Sequence, residues 1–248
     1  MLMIEPEIAV FGDIHSNLEA LAAVFADMDQ FGVRDRVCLG DIVGYAANPS
    51  ECLELVRSTG CPVVRGNHDA WAANDSLLDE LRDVAQSGIE FSRRKLTPEQ
   101  RDYLAALPLD ISAGDCQYVH ASLDAPAEWP YVVEEQDARD HFRAQTHPIS
   151  FCGHTHLPRV WHRRTSGEIK SWRGEGRVEL PNVGKILINA GSVGQPRDLC
   201  PDACYVVFDS GSRWVEFRRV PYDIGKTKRK IVRAKLPRFT AQRLSLGR

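Results

Sequence analysis

The sequence predicts an α/β protein with a first sheet that begins parallel and a second sheet built later in the chain. Two observations predict it. Over the first 70 residues, short apolar runs at 8–11, 36–39 and 62–65 alternate with helix-like stretches. A strand–helix–strand–helix–strand order implies parallel strands joined by crossover helices. Strand signals then return at 117–119, 149–152, 158–162, 185–189, 203–208 and 214–219. Most are joined by short turns containing Gly and Asp, which suits antiparallel pairing and a second sheet.

The elements follow in order. Asn17 is placed to cap a helix in which Leu18, Leu21, Ala22 and Phe25 recur at helical spacing. A second helix covers 49–57 with Pro49 at its start, where proline lacks only an N–H that has no helical partner anyway. From 71 to 107 the chain is charged and helix-forming, with Thr97-Pro98-Glu99-Gln100 as a helix start, and reads as an insertion covering an edge or forming a cap. Residues 222–248 are rich in Lys and Arg. A nucleic-acid arm is one reading of that tail. A docked amphipathic helix pair is preferred, because Ile224, Ile231, Val232 and Leu236 recur at near-helical spacing and Phe239 and Leu244 follow the Pro237 break.

At 248 residues, 43% hydrophobic and 26% charged, the chain suits one domain spanning 1–248 with that insertion and tail. A net charge of −3 makes no general polyanion trap. No apolar run reaches the roughly 18 to 20 residues that cross a bilayer, and the first 12 residues lack a secretory pattern. A cytoplasmic protein is therefore expected. The seven cysteines contain no CxxC pair, so neither a structural disulfide nor a thiolate metal site is expected.

The metal-capable side chains fall in one kind of place. The first strand leads into Gly12-Asp13-Ile14-His15, the second into Gly40-Asp41 and the third into Gly66-Asn67-His68-Asp69. Later strands lead into His120 and into Gly153-His154-Thr155-His156. Any one Gly-Asp or Gly-Asn pair alone is ordinary turn chemistry. Independent turns have no reason to set His so often just past an apolar strand. Ligands of parallel sheets gather beyond the carboxyl ends of the strands, so Asp13, His15, Asp41, Asn67, His120, His154 and His156 together describe a metal cradle.

These ordered signatures resemble the calcineurin-like metallophosphoesterase superfamily. The runs Asp41-Ile42-Val43-Gly44-Tyr45 and 189–198 resemble its prokaryotic small phosphatases and phosphodiesterases, relatives of diadenosine tetraphosphatases. The resemblance implies two mixed sheets packed face to face with helices outside, an αββα sandwich. It assigns Asp13, His15 and His156 to one divalent ion and Asn67, His120 and His154 to a second, with Asp41 bridging. His68 stands apart as proton donor. An imidazole, carboxylate and carboxamide set without thiolate suits Mn²⁺, Fe, Zn²⁺, Co²⁺ or Ni²⁺, and Mn²⁺ is the expectation.

Two divalent ions bring about +4 and the two aspartates about −2, so the site stays cationic and favours a phosphate ester. The expected substrate is a small-molecule or nucleotide-like mono- or diester. The superfamily's protein phosphatases carry a further Asp and an Arg shortly after the bridging Asp. Here Val43-Gly44-Tyr45 stands in their place, which argues against a phosphoprotein substrate and leaves the partner of His68 open, with Asp69 adjacent. Arg65 and Arg197 are candidate phosphate contacts, against a surface or salt-bridge role for each. Trp129 or Tyr131 is placed to stack on a base, or simply to pack under its loop. His141, His147 and His162 have no partner pattern. The rival functions are a nuclease or cyclic-nucleotide phosphodiesterase, and a non-catalytic scaffold. Retention of His68 and all seven ligand positions speaks against the scaffold.

Overall fold

A computed structural model describes residues 7–74 and 83–248. Strand β1 (Glu7–Phe11) leads through helix α1 (Leu18–Phe31) to β2 (Asp35–Cys38), and α2 (Pro49–Ser58) and α3 (Asn67–Ala73) follow. Helices α4 (Asp83–Lys95) and α5 (Pro98–Ala106) precede β3 (Asp110–Ala113) and β4 (Cys116–Val119). After α6 (Glu135–Ala144) come β5 (Ile149–Cys152), β6 (Arg159–Arg163), β7 (Ile169–Arg173), β8 (Gly176–Glu179) and β9 (Lys185–Asn189). Strands β10 (Ala203–Asp209) and β11 (Trp214–Val220) lead into α7 (Ile224–Arg233) and α8 (Arg238–Leu244).

The strands form two mixed sheets, ordered β2-β1-β10-β11-β8 and β3-β4-β5-β9-β6-β7. Val10, Val37, Val206, Phe208 and Phe217 of the first pack against Tyr118, Phe151, Val160, Ile186 and Ile188 of the second. The alternate residues of the first sheet, among them Phe11, Tyr205 and Val207, turn outward onto Leu21, Val24, Met28, Leu53 and Val56 of α1 and α2. Strand β10 is thus buried on both faces, as its unbroken apolar run requires. On the far side, Ala138 and Phe142 of α6 cover Val119, Cys152, Trp161 and Leu187. The result is the expected αββα sandwich.

Several expected elements differ. Residues 62–65 make only a parallel bridge, Val63 to Cys38. The Arg65 N–H leaves the sheet for Pro108 O (2.7 Å), and the chain turns at Gly66 into α3. The second sheet is not antiparallel throughout: β4, β5 and β9 are parallel. Helix α6, which the sequence reading did not identify, is the crossover between β4 and β5 that makes this possible. Strands β10 and β11 join the first sheet, β10 lying antiparallel beside β1.

Both expected caps form. Asn17 Oδ1 accepts from Ala20 N, and Thr97 and Gln100 make a reciprocal capping box on α5. The helical segment expected from 71 begins at Asn67, and residues 75–82 of that expectation lie outside the described residues. The tail docks as a helix pair, with Ile231, Leu236 and Leu244 buried against Ala46 and Phe91. Val232 and Phe239 were expected on that buried face and are instead exposed.

Candidate metal centre

The loops after five strand ends are tied to one another by backbone bonds. Asp13 N donates to Gly40 O, Ile14 N and His15 N to Asp41 O, Gly153 N to His120 O, and Gly194 N to Asp13 O, at 2.8–2.9 Å. Ser192 Oγ donates to Asp13 O, and Asn189 Nδ2 holds Gly153 O and Thr155 Oγ1. Asp13, His15, Asp41, His154 and His156 all have φ between 50° and 64°, the left-handed region that non-glycine residues rarely occupy. Such strain persists only where surrounding bonds over-determine it, and it clusters at functional sites. Gly66 and Gly153 make the close approach possible. A β-carbon at Gly66 would collide with Asp41 Oδ1, and one at Gly153 with Asp13 Oδ2.

The side chains converge. Donor atoms of Asp13, His15 and His156 lie within 4.8 Å of one another, as do those of Asp41, His120 and His154. Asn67 Oδ1 is 3.0 Å from His120 Nε2, which completes the second group. Asp41 joins them: its Oδ2 stands 3.7 Å from His15 Nε2 and 3.4 Å from His120 Nε2, while its Oδ1 accepts from His68 N. All seven expected ligand side chains are buried together.

Backbone contacts fix the histidine tautomers. Nδ1 of His15 faces Val43 O (3.3 Å), Nδ1 of His120 faces Leu39 O (2.8 Å) and Nδ1 of His156 faces Gln195 O (2.6 Å). A carbonyl only accepts, so each Nδ1 carries a proton and each Nε2 is aimed inward. That Nε2 has a free lone pair on His15 and His156 and, on His120, a proton that a metal ion would displace. Yet His15 Nε2 and His156 Nε2 are 3.1 Å apart, and His120 Nε2 is 3.2 Å from His154 Nδ1. Asp13 Oδ1 is buried without a hydrogen bond, 3.1 Å from His156 Nε2. Facing lone pairs at such range repel unless a proton or a metal ion stands between them. Imidazole, carboxylate and carboxamide donors in this geometry fit a pair of divalent ions.

Protonation shifts agree with a cluster built around charge. Burial works to raise Asp13 and Asp41, but His156 and His120 hold Asp13 below the usual carboxylate range, and His120 with His68 holds Asp41 well below it. Burial depresses His15, His156 and His154, the last to about 3. His120 goes the other way, up to about 9, because the Asp41 charge outweighs its burial.

His68 is buried, its ring edge-on to His15 at 4.7 Å and 4.6 Å from Tyr45, and its Nδ1 has no hydrogen-bond partner. Its donor atom also lies within the 4.8 Å range of His15 and Asp41. Asp69 is not its partner. The Asp69 carboxylate accepts from Ile42 N, Val43 N and Gly66 N and so pins the Asp41 loop, a role not read from the sequence although Asp three residues into a helix is a capping signal. Arg197 sits at the rim: its N–H donates to His156 O, its Nη2 to Gln195 Oε1, and its Nε is buried without an acceptor. Arg65 donates to Ala105 O instead and joins none of these groups. His141 and His162 are buried and serve the fold, His162 against Val183 O and His141 against Ser150 Oγ.

This fold and site define a class, the metal-dependent phosphoesterases. The chain belongs to the calcineurin-like phosphoesterase superfamily, whose domain it matches over residues 7–213. It is 40% identical to the uncharacterized protein MJ0912 of Methanocaldococcus jannaschii, over 99% of this chain and 100% of that one. The crystal structure of a metallophosphoesterase from Sphaerobacter thermophilus superposes with a TM-score of 0.86 at 36% identity, covering 98% of this chain and 99% of the other. The hypothetical protein PH1004 from Pyrococcus horikoshii OT3 shares the fold at a TM-score of 0.82 and 20% identity, with 98% of each chain covered.

Proposed function

We propose that this chain hydrolyses small-molecule or nucleotide-like phosphate mono- or diesters with two divalent ions, Mn²⁺ by preference, in the cytoplasm. Asp13, His15 and His156 would hold one ion, Asn67, His120 and His154 the other, and Asp41 would bridge them. The carrying observation is the set of Nδ1–carbonyl contacts that leaves Nε2 of His15, His120 and His156 converging on Asp13 and Asp41. Bound ions would supply a nucleophile from water at neutral pH and a clamp for phosphoryl oxygens.

The protein's own residues do the rest. Arg197, with an unanswered Nε at the rim, binds a phosphoryl oxygen and orients it. His68, buried beside Tyr45 and Trp71, delivers a proton to the departing oxygen. Gly44 lies directly under its ring, where a β-carbon would strike Nδ1, so the imidazole is held in one place.

The test is His68→Ala with Mn²⁺ added after chelation, on an alkyl phosphate ester and on a p-nitrophenyl ester. Metal content should be retained. Turnover of the alkyl ester should fall about 10²- to 10⁴-fold, the usual worth of a general acid, and turnover of the p-nitrophenyl ester far less, since p-nitrophenolate leaves unaided. Full activity on the alkyl ester would remove His68 from the chemistry. One observation favours a nuclease as second reading: basic α8 packs on Ala46, next to Tyr45, and Leu199 N donates to Gly247 O beside the Arg197 loop. A single-stranded oligonucleotide in the same assay, cleaved with a steep salt dependence, would select that reading.

A further inference from the structure

After β4 the chain makes a single 3₁₀ turn at Pro126–Glu128, flanked by Ala125 and Trp129 in the left-handed region (φ 49° and 48°). It is pinned again at Val132, buried with Val119, Phe142 and Trp161. Between these fixed points Tyr131 is 52% exposed, yet its ring stacks on the imidazole of His154, with centroids 4.2 Å apart and planes at 25°. Two residues earlier, Trp129 meets Trp71 edge-on at 6.2 Å, and Trp71 lies 5.2 Å from the His68 ring. One loop therefore brings an aromatic ring directly onto one histidine of the cluster and reaches the other side of the site through a second aromatic pair.

Packing alone does not account for Tyr131. The tyrosines that serve the core, Tyr118 and Tyr205, are fully buried. Tyr131 covers His154 with one face and leaves the rest of its surface to water. The same loop carries an unanswered donor, since the Trp129 Nε1–H is buried without an acceptor. A flat ring beside a phosphate-binding cluster, with an unpaired N–H in its loop, matches a heterocycle that is aromatic on its face and rich in acceptors at its edge.

We propose that Tyr131 is the stacking platform for the base of a nucleotide substrate, while the Trp129–Trp71 pair holds the same loop against the His68 side of the cluster. The proposal rests on the phosphoesterase reading above and names the substrate class. Every base has a π-face, so the platform favours nucleotides over base-free phosphates without selecting one base.

The experiment compares adenosine 5′-monophosphate with ribose 5-phosphate on the Mn²⁺-loaded protein, for wild type, Tyr131→Leu and Tyr131→Phe. The readout is the ratio of kcat/KM for the two esters. Wild type should favour the nucleotide, Tyr131→Leu should lose about 10-fold of that ratio, and Tyr131→Phe should keep it, as expected for one base on one aromatic ring. Adenosine binding to the EDTA-treated protein, followed by saturation-transfer NMR, gives a readout independent of turnover and should vanish in Tyr131→Leu. An equal loss on both esters would make Tyr131 a prop for His154 and overturn the proposal. So would no wild-type preference, or adenosine binding indifferent to Tyr131→Leu. If neither monoester is hydrolysed while adenosine still binds through Tyr131, the monoesterase half of that reading fails and the platform stands.

Discussion

His141 shows how a single buried ring is held in one protonation state. Its Nδ1 accepts from Leu123 N (3.2 Å), and its Nε2 lies 2.9 Å from Ser150 Oγ, whose own proton goes to Gln145 Oε1. Only the neutral ring satisfies that network. Burial, with the Lys185 charge adding to it, brings His141 down to about 3. The unfolded chain takes up this proton near pH 6.5 and the folded chain only near 3, so the neutral ring stabilises the fold fully above about 6.5. That stability is lost as pH falls, at up to about 1.4 kcal/mol per pH unit, or about 2 kcal/mol by pH 5. Urea midpoints at pH 7.5 and pH 5 should therefore differ more for wild type than for His141→Gln. Equal shifts would mean that the ring is protonated in the fold. Nothing local to His141 marks this role, because its partners lie 9 to 19 positions away in chain order.

At the scale of elements, the joint between α1 and α7 binds the tail to the sandwich. Glu19, in the first turn of α1, accepts from Lys230 Nζ (2.6 Å) and Thr227 Oγ1 (3.2 Å), with Lys226 Nζ 3.2 Å away, and its side chain is only 6% exposed. Burial opposes its charge, but the two lysines outweigh this and hold its carboxyl below the usual range. A carboxyl depressed in the fold contributes its stability above the ordinary glutamate pKa and loses it as pH falls below. Glu19→Gln should therefore destabilise by about 1–3 kcal/mol at pH 7, the cost of leaving charged donors without their acceptor, and by less at pH 4. Chemical denaturation at the two pH values checks this, and a cost independent of pH would deny the ion pairs their part. These lysines, read from sequence as a basic face, are partly spent on internal partners. Helix α1 was legible because its apolar spacing and Asn17 cap are local. Strands β7 and β8 were not, because their side chains are largely exposed and carry no apolar alternation.

For the whole molecule, what was legible divides by how far apart in the chain the partners lie. The convergence of the seven expected side chains was legible because each follows an apolar run within a few residues, a local pattern that dictates convergence once the strands align. Sheet order was not found. Strand β10 pairs with β1 across nearly the whole chain, and nothing local in either encodes the other. The same topology gathers two buried aspartates and four ligand-capable histidines whose acceptors face one another at 3.0–3.4 Å. Without metal only the proton on His120 bridges them and the remaining repulsion works against the two sheets; with metal the cluster becomes a clamp between loops from both. Divalent metal should thus stabilise the entire fold, by about 2.7 kcal/mol per site at 100 times Kd. For a chain of this length that is a rise in Tm of about 5–10 °C for each ion bound. Binding must also displace the proton that Asp41 keeps on His120 up to about pH 9, so the gain should grow from pH 6 to pH 9. Scanning calorimetry of the chelated protein with and without Mn²⁺ measures both effects, with Asp41→Asn as control. Melting temperatures indifferent to metal in wild type, or a gain that survives unchanged in Asp41→Asn, would show that the cluster is not what closes these loops.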